Sequence, residues 1–295
     1  MKIKHWIGAL TVSLFATLYG EPTGAPTALE QGTFTRGMPR EVTPAAGPRV
    51  AHGANAFLTA DFIYWKATQA GLEYGMSNVL IGTGSTITSR GSTRTPDFGW
   101  DPGFKVGLGI NLPYDGWDTY VQYTWLQSNG NHSRMRNSDG NIIPKPWAGS
   151  PDGGASRIGD ITEARTRWDF HFHVLDLELG RSYYLSRFLT LRPFAGLKWT
   201  WQSQDWVNRY NGNNVRVDNS PSNVPGTARV SQDHDFWGVG IRTGLNTNWY
   251  IAEHWSIFAN GALATVWADY DVSRTDIFQP NTQAAGSNIV RTRQD

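Results

Sequence analysis

Phe104-Lys105-Val106-Gly107-Leu108-Gly109-Ile110-Asn111, then Leu112-Pro113-Tyr114-Asp115-Gly116, then Trp117-Asp118-Thr119-Tyr120-Val121-Gln122-Tyr123-Thr124-Trp125: the reading of this stretch decides the fold. In its first part Phe104, Val106, Leu108 and Ile110 take one side, while Lys105, Gly107, Gly109 and Asn111 take the other. Period two over this length is a strand with one wet face. The last part returns with Trp117, Thr119, Val121, Tyr123 and Trp125 against Asp118, Tyr120, Gln122, Thr124 and Leu126. Between them Pro113, Tyr114, Asp115 and Gly116 supply the residues of a tight turn.

The same module recurs at 175–201 and 237–267, with long polar stretches at 127–162 and 202–232 between the copies. Short turns alternating with long loops are the build of an outer-membrane barrel, tight on the periplasmic side and long outside. The expected fold class is therefore all-β, a transmembrane antiparallel β-barrel of the outer-membrane type.

In the second module Thr166, Trp168, Phe170 and Phe172 alternate with Arg165, Arg167, Asp169, His171 and His173. The apolar side then passes to Leu175, Leu177 and Leu179, with Asp176 and Glu178 opposite, so a one-residue slip, a bulge, is expected near Val174. After a turn around Leu185-Ser186-Arg187, residues Leu189, Leu191, Pro193, Ala195, Leu197, Trp199 and Trp201 oppose Arg192, Phe194, Gly196, Lys198 and Thr200. Pro193 forfeits a ladder bond and belongs near a strand end or a distortion. The third module sets Trp237, Val239, Ile241, Thr243 and Leu245 against Gly238, Gly240, Arg242, Gly244 and Asn246. It turns near Ala252-Glu253-His254 and returns through Ile257, Ala259, Gly261, Leu263, Thr265 and Trp267. An opening strand at 57–66 carries Leu58, Ala60, Phe62 and Tyr64 against Thr59, Asp61, Ile63 and Trp65; residues 69–80 extend it or form an external hairpin.

The N-terminus gives the destination. Lys2, Lys4 and His5 precede an apolar run at 6–18 that is too short to span a bilayer, and Gly20 suits a cleavage point, so 1–20 read as a secretory signal peptide rather than a buried amphipathic helix. Residues 21–55, with Pro22, Pro26, Pro39, Pro44 and Pro48, have little to bury and read as a flexible periplasmic lead-in, a luminal plug being the alternative without a supporting pattern. Residues 56–295 then form one barrel domain.

Composition agrees with this reading. Only 17% of residues are charged while 13% are aromatic, with 14 Trp and 32 Gly, an unusual mixture for a soluble α/β enzyme. A mean hydropathy of −0.42 excludes a helical membrane protein, and a barrel hides its apolar residues by alternating them. The absence of Cys rules out a disulfide scaffold and thiolate metal sites. A net charge of +1 leaves no basic stripe for nucleic acid. A secreted β-sandwich or lectin-like domain would carry many charges on its outward face, whereas the polar face here is Gly, Asn, Gln and Thr. Trp117, Trp125, Trp199, Trp201, Trp237, Trp255 and Trp267 fall near strand ends, where amphipathic rings suit a headgroup interface.

The run Trp100-Asp101-Pro102-Gly103-Phe104-Lys105-Val106-Gly107-Leu108-Gly109, followed by Asn111-Leu112-Pro113 and Asp115-Gly116-Trp117-Asp118, resembles the signature of the pore-forming major outer-membrane proteins of Legionella and the environmental chlamydiae. The segments Ala60-Asp61-Phe62-Ile63-Tyr64-Trp65-Lys66-Ala67, Leu175-Asp176-Leu177-Glu178-Leu179-Gly180 and Leu191-Arg192-Pro193-Phe194 are similar to further blocks of that family, so the likeness covers most of 56–270. The resemblance implies an abundant outer-membrane porin that passes small solutes. One departure stands out: members should end in a strand closing on an aromatic residue, yet this chain stops at Val290-Arg291-Thr292-Arg293-Gln294-Asp295. Seven strands, starting near 57, 104, 117, 165, 189, 237 and 257, leave the seventh ending outside, and bacterial barrels have even counts. The expectation is a barrel lacking its last part and showing an open edge.

Catalytic look-alikes carry less. Ser128-Asn129-Gly130 at a strand end resembles the nucleophile segment of outer-membrane phospholipases, but Leu126 stands where that segment has its histidine. His171 and His173 share a strand face without a third ligand at recognisable spacing. Gly238-Val239-Gly240 with Gly244 is not a dinucleotide fingerprint, and these glycines read as a face that leaves lumen space. No enzyme, cofactor or metal is expected. The expected function is passive diffusion through a water-filled pore lined by Lys105, Asp118, Gln122, Arg165, Arg167, Asp169, His171, Asp176, Glu178, Arg192, Lys198, Arg242 and Asn246. A non-conducting structural barrel, or an adhesin acting through its long loops, is the alternative. The expected partners are outer-membrane lipid, small hydrophilic solutes and ions, and the barrel-assembly machinery, with homo-oligomerisation left open and no nucleic acid.

Overall fold

The computed structural model describes residues 6–15, 43–48, 50, 53–77, 91–137, 142–145, 157–216, 224–252, 255–281 and 288–294. Among these there is no helix. The strands are β1 (Trp6–Phe15), β2 (Asn55–Trp65), β3 (Gly75–Ser77), β4 (Ser92–Arg94), β5 (Asp101–Asn111), β6 (Trp117–Arg136) and β7 (Ile143–Pro144). They continue with β8 (Arg157–Arg181), β9 (Tyr183–Ser186), β10 (Leu189–Arg216), β11 (Val224–Ala252), β12 (Trp255–Pro280) and β13 (Asn288–Gln294). One antiparallel sheet runs β1-β12-β11-β10-β8-β6-β5-β2, with β13 also on β12 and β9 on β10; β4, β3 and β7 form a second, small sheet. The seven strands expected from the pattern correspond to β2, β5, β6, β8, β10, β11 and β12, all of them joined to their sequence neighbours as hairpins.

The hairpin of β5 and β6 turns where the sequence says it must. Asp115 and Gly116 adopt positive φ of 48° and 70°, and the Trp117 amide donates to the Tyr114 carbonyl at 3.0 Å. Pro193 also obeys its constraint: β9 pairs with β10 as far as Leu191 and β8 takes over at Phe194, so the proline falls in the gap between two partners.

Beyond the bilayer the wall is taller than the polar stretches suggested. β8, β10, β11 and β12 have 25, 28, 29 and 26 residues, whereas a spanning strand needs only about 9–11. Much of 127–162 and 202–232 is thus strand, not loop. The bulge expected near Val174 is absent, because β8 stays in continuous register with β10 from Gly180 to Glu163. From Ala164 to Gly180 the even-numbered residues of β8 face inward, Trp168, Asp176 and Glu178 among them; the phase changes only beyond Glu163, where a bulge at Thr162 brings Ile161 inward. What changes is the solvent: below His173 the outward residues are Leu175, Leu177 and Leu179, and above it they are His171, Asp169, Arg167 and Arg165. A real slip does exist, in β6, where pairing jumps between Ser128 and Asn131 and so brings Ser133 and Met135 inward.

Above the bilayer level the inner face is a packed core. Leu72 and Tyr74, from the connection between β2 and β5, fold under the tall wall against Met135, Ile142, Ile161, Ala164, Trp168, Trp206, Tyr210, Val215, Ala228, Val230 and Phe278. The Tyr210 hydroxyl donates to the Tyr74 carbonyl at 2.7 Å, and the Tyr74 hydroxyl lies 3.1 Å from that of Ser133. Burial pushes the Tyr74 phenol above its ordinary pKa, so it stays neutral in these bonds. Of the two options for 69–80, the small sheet of β3, β4 and β7 supports the hairpin; residues 78–90 lie outside the described residues.

The lead-in, expected to be free, is tied down over part of its length. Ala45 bridges to Tyr183, the Ala46 amide donates to the Ser182 carbonyl at 3.0 Å, and Arg181 donates to Thr43 and to Asp115. Residues 21–42, Glu253 and His254 lie outside the described residues. Trp6–Phe15, within the segment read as a signal peptide, pairs with β12 from Trp267 to Phe258. β13 takes the same edge further out, from Val272 to Phe278, so the two together fill one strand position on an edge that would otherwise show bare amides and carbonyls. Among the described residues no pairing joins β2 to β12, β13 or β1, and the sheet is open there.

Candidate functional site: the charged inner face

The inner face at membrane depth carries an ion-pair chain built over glycines. Arg192 on β10 crosses Gly180 on β8 to reach Asp118 on β6, at 2.5–3.1 Å, and also binds Glu178 at 2.9 Å. Arg242 on β11 sits directly across from Gly196 on β10 and reaches past it to Glu178 at 2.6 Å and Asp176 at 3.0 Å. Lys198 closes the chain on Asp176 at 3.1 Å. A Cβ on Gly180 would strike the Arg192 guanidinium, so the missing side chain is what permits the crossing. Asp61 and Lys105 stand opposite each other on β2 and β5 on the same inner face. Asp61, Asp118, Asp176 and Glu178 therefore balance Lys105, Arg192, Lys198 and Arg242, and this group has no net charge.

Inner aromatics lie flat on the wall. Phe57 covers Gly109, Tyr120 covers Gly107, and Phe194 covers Gly244 while holding the Arg242 guanidinium 5.1 Å from its ring centre. Gly244 is thus a seat for Phe194 rather than open lumen, and Gly238 is likewise covered by Val266. Further out, Trp168, Phe170, Phe172, Gln202, Gln204 and Trp65 line a vestibule of about 590 Å³ beneath the folded-in connection.

Of the residues expected to line the lumen, Lys105, Asp118, Gln122, Asp176, Glu178, Arg192, Lys198, Arg242 and Asn246 are on the inner face. Arg165, Arg167, Asp169 and His171 are not: they are on the outer face above the bilayer level, placed inside only by the supposed slip at Val174. His173 is also outside, its Nδ1 2.7 Å from the Tyr123 hydroxyl. Ser128 is buried at the β6 bulge and donates to Asp101 at 2.6 Å, tying the start of β5 to that bulge. Sequence reasoning missed Gly180 and Gly196 as crossing points and Asp61 as a balancing charge; Gly180 ends one of the family-like blocks, and Gly196 lies two residues past another.

The expected interface tryptophans all lie on the outer face. Trp125, Trp199, Trp201, Trp237 and Trp267 mark its upper level, Trp117 and Trp255 its lower one, where Trp249 and Phe188 are also exposed. Between the levels the outward residues are mostly apolar, Val121, Leu177, Leu179, Leu197, Ile241, Leu245 and Leu263 among them, with Thr119, Thr243 and Thr265 as uncharged exceptions. A concavity of about 810 Å³ is set at the upper level among His171, Trp201, Trp237, Asp205, Asp235 and Asp271.

Antiparallel strands with lipid-suited residues outside and charge inside define an outer-membrane protein of the β-barrel type. The chain belongs to the family described as Legionella pneumophila major outer membrane protein precursor, whose model matches residues 51–294. No curated protein and no solved structure matches it.

Proposed function

We propose that this outer-membrane protein is a porin, passing small hydrophilic solutes and ions by diffusion through a water-filled lumen. The observation carrying the reading is the charged inner face at the depth where the outer face is apolar. Burying eight ionisable side chains in a dry interior would cost several kcal/mol per ion, roughly, beyond what pairing returns, whereas a wetted lumen removes most of that cost. Because the chain balances, the pore discriminates weakly by charge. The core under Leu72 and Tyr74 supports a second reading, a non-conducting structural or adhesive barrel, since it narrows the outer mouth. Single-channel recording on refolded, heat-modifiable protein separates them: stable steps support the porin, and a folded barrel that never conducts supports the second reading.

A further inference from the structure

Four arginines stand side by side on the outer face of the tall wall. Arg134 on β6 pairs with Arg165 on β8, Arg165 with Arg209 on β10, and Arg209 with Arg229 on β11. All four are exposed. Like charges directly opposite each other in a sheet destabilise it, and three successive pairs do so here. One carboxylate, Glu163, answers Arg134, Arg136 and Arg165 together, while Arg229 is held by the Ser231 hydroxyl and Arg209 has no ion pair among the described residues. Arg167 pairs with Asp169, which stands in a row with Asp205 and Asp233, so six arginines share this part of the wall with four carboxylates, and at the level of the arginine row itself Glu163 is the one outer-face carboxylate with an ion pair among the described residues.

We propose that this row docks the phosphorylated saccharide of the lipopolysaccharide surrounding the protein in the outer leaflet. Position favours that source. The row is eight residues beyond His173, Trp201 and Trp237 on β8, β10 and β11, which is about 26 Å along the strand and about 19 Å above the girdle at a barrel tilt of about 45°. That is the sugar layer above the lipid headgroups. The side chains point sideways from the wall into that layer, not upward to soluble molecules. A second copy does not fit: the row Asp169, Asp205 and Asp233 lies four residues lower on the same strands, and copies held at one depth bring arginine to arginine. Planar guanidinium groups spaced across a sheet match phosphate oxygens in bidentate pairs, and lipopolysaccharide supplies phosphate at fixed height.

The test uses the full chain refolded into vesicles carrying lipopolysaccharide, the same lipopolysaccharide dephosphorylated, or neither. The variants are Arg209→Gln with Arg229→Gln, and all four positions to Gln. Lipopolysaccharide retained per heat-modifiable barrel is expected to fall at least about tenfold for the fourfold variant and by a smaller factor for the double one. Dephosphorylation should reproduce the loss in wild type. Equal retention by folded variants, or by dephosphorylated lipopolysaccharide, overturns the proposal. So does tighter binding of soluble sulfated dextran than of the vesicle lipopolysaccharide, which would mark a site for soluble polyanions. If the fourfold variant does not fold, the double variant decides. Conductance plays no part in this readout, so the porin reading and this one fail separately.

Discussion

Glu178→Gln is the sharpest probe of the inner face. The substitution keeps the shape of the side chain and removes one negative charge from a balanced group of four and four, leaving the lumen at +1. For a permeating ion about 7 Å away in water, one charge is worth about 0.6 kcal/mol, which screening at about 0.15 M salt reduces to about 0.25 kcal/mol. The anion-to-cation permeability ratio should then rise about twofold at that salt and up to about eightfold in dilute salt. Folding should survive, because Arg192 keeps Asp118 at 2.5 Å and Arg242 keeps Asp176 at 3.0 Å. Neither arginine is stranded, so the loss stays well below the roughly 3–5 kcal/mol of a broken buried pair. Reversal potential under a salt gradient reads the outcome. A conducting variant whose reversal potential is unmoved, or moved toward cations, refutes the placement of this network in the ion path.

Leu177→Arg should cost about 2–4 kcal/mol in urea unfolding from bilayers, while His171→Arg, six residues up the same face, should cost almost nothing; similar costs would disprove the bilayer boundary drawn at His173. Asn208 is fully buried with neither side-chain polar atom bonded, so Asn208→Leu should stabilise the outer core by about 1–3 kcal/mol, and a destabilised variant would show that its amide has a partner such as a bound water. Deleting Gly130 removes the extra residue of the β6 bulge and leaves a regular ladder in which Ser133 and Met135 stay inward, so the tall wall should keep its protease resistance; new cutting there would show that the bulge does more than set the phase. Trp168→Ala, which removes a ring stacked on Phe170 and edge-on to Phe98, should widen the vestibule and raise conductance at a cost of about 3–5 kcal/mol.

The hairpin of β5 and β6 was legible because its alternation and its turn are both local. The inner positions of Lys198, Arg242 and Asp176 followed from the same phase. Arg165, Arg167, Asp169 and His171 were misplaced for a physical reason. A strand leaving a bilayer exchanges apolar for polar neighbours on its outer face and, under a packed core, polar for apolar on its inner one. In one dimension that exchange looks the same as a one-residue slip, and only the unbroken register of β8 with β10 separates the two. The bulge that does exist, at Asn129 and Gly130, sits in a polar run where no apolar period was available to lose phase. The lengths of β10 and β11 were hidden likewise, since Asn208, Asn211, Ser231 and Gln232 interrupt the alternation of Trp206, Tyr210, Ala228 and Val230. Asp61 was seen as polar but could not be balanced against Lys105 before their pairing was known.

The exchange of faces at His173 also sets how far the molecule can move. Raising the protein by one side-chain pair would lift Leu175 and its neighbours into water, and lowering it would draw His171, Ser203 and Asp235 toward hydrocarbon. Because adjoining strands change character within a residue pair of one another, tipping is resisted as well as sinking. The wall thus works as a depth gauge with a resolution of about 7 Å, the advance of one side-chain pair along a strand, and it holds the mouth of the barrel at a constant distance from the lipid whatever the loops above it do.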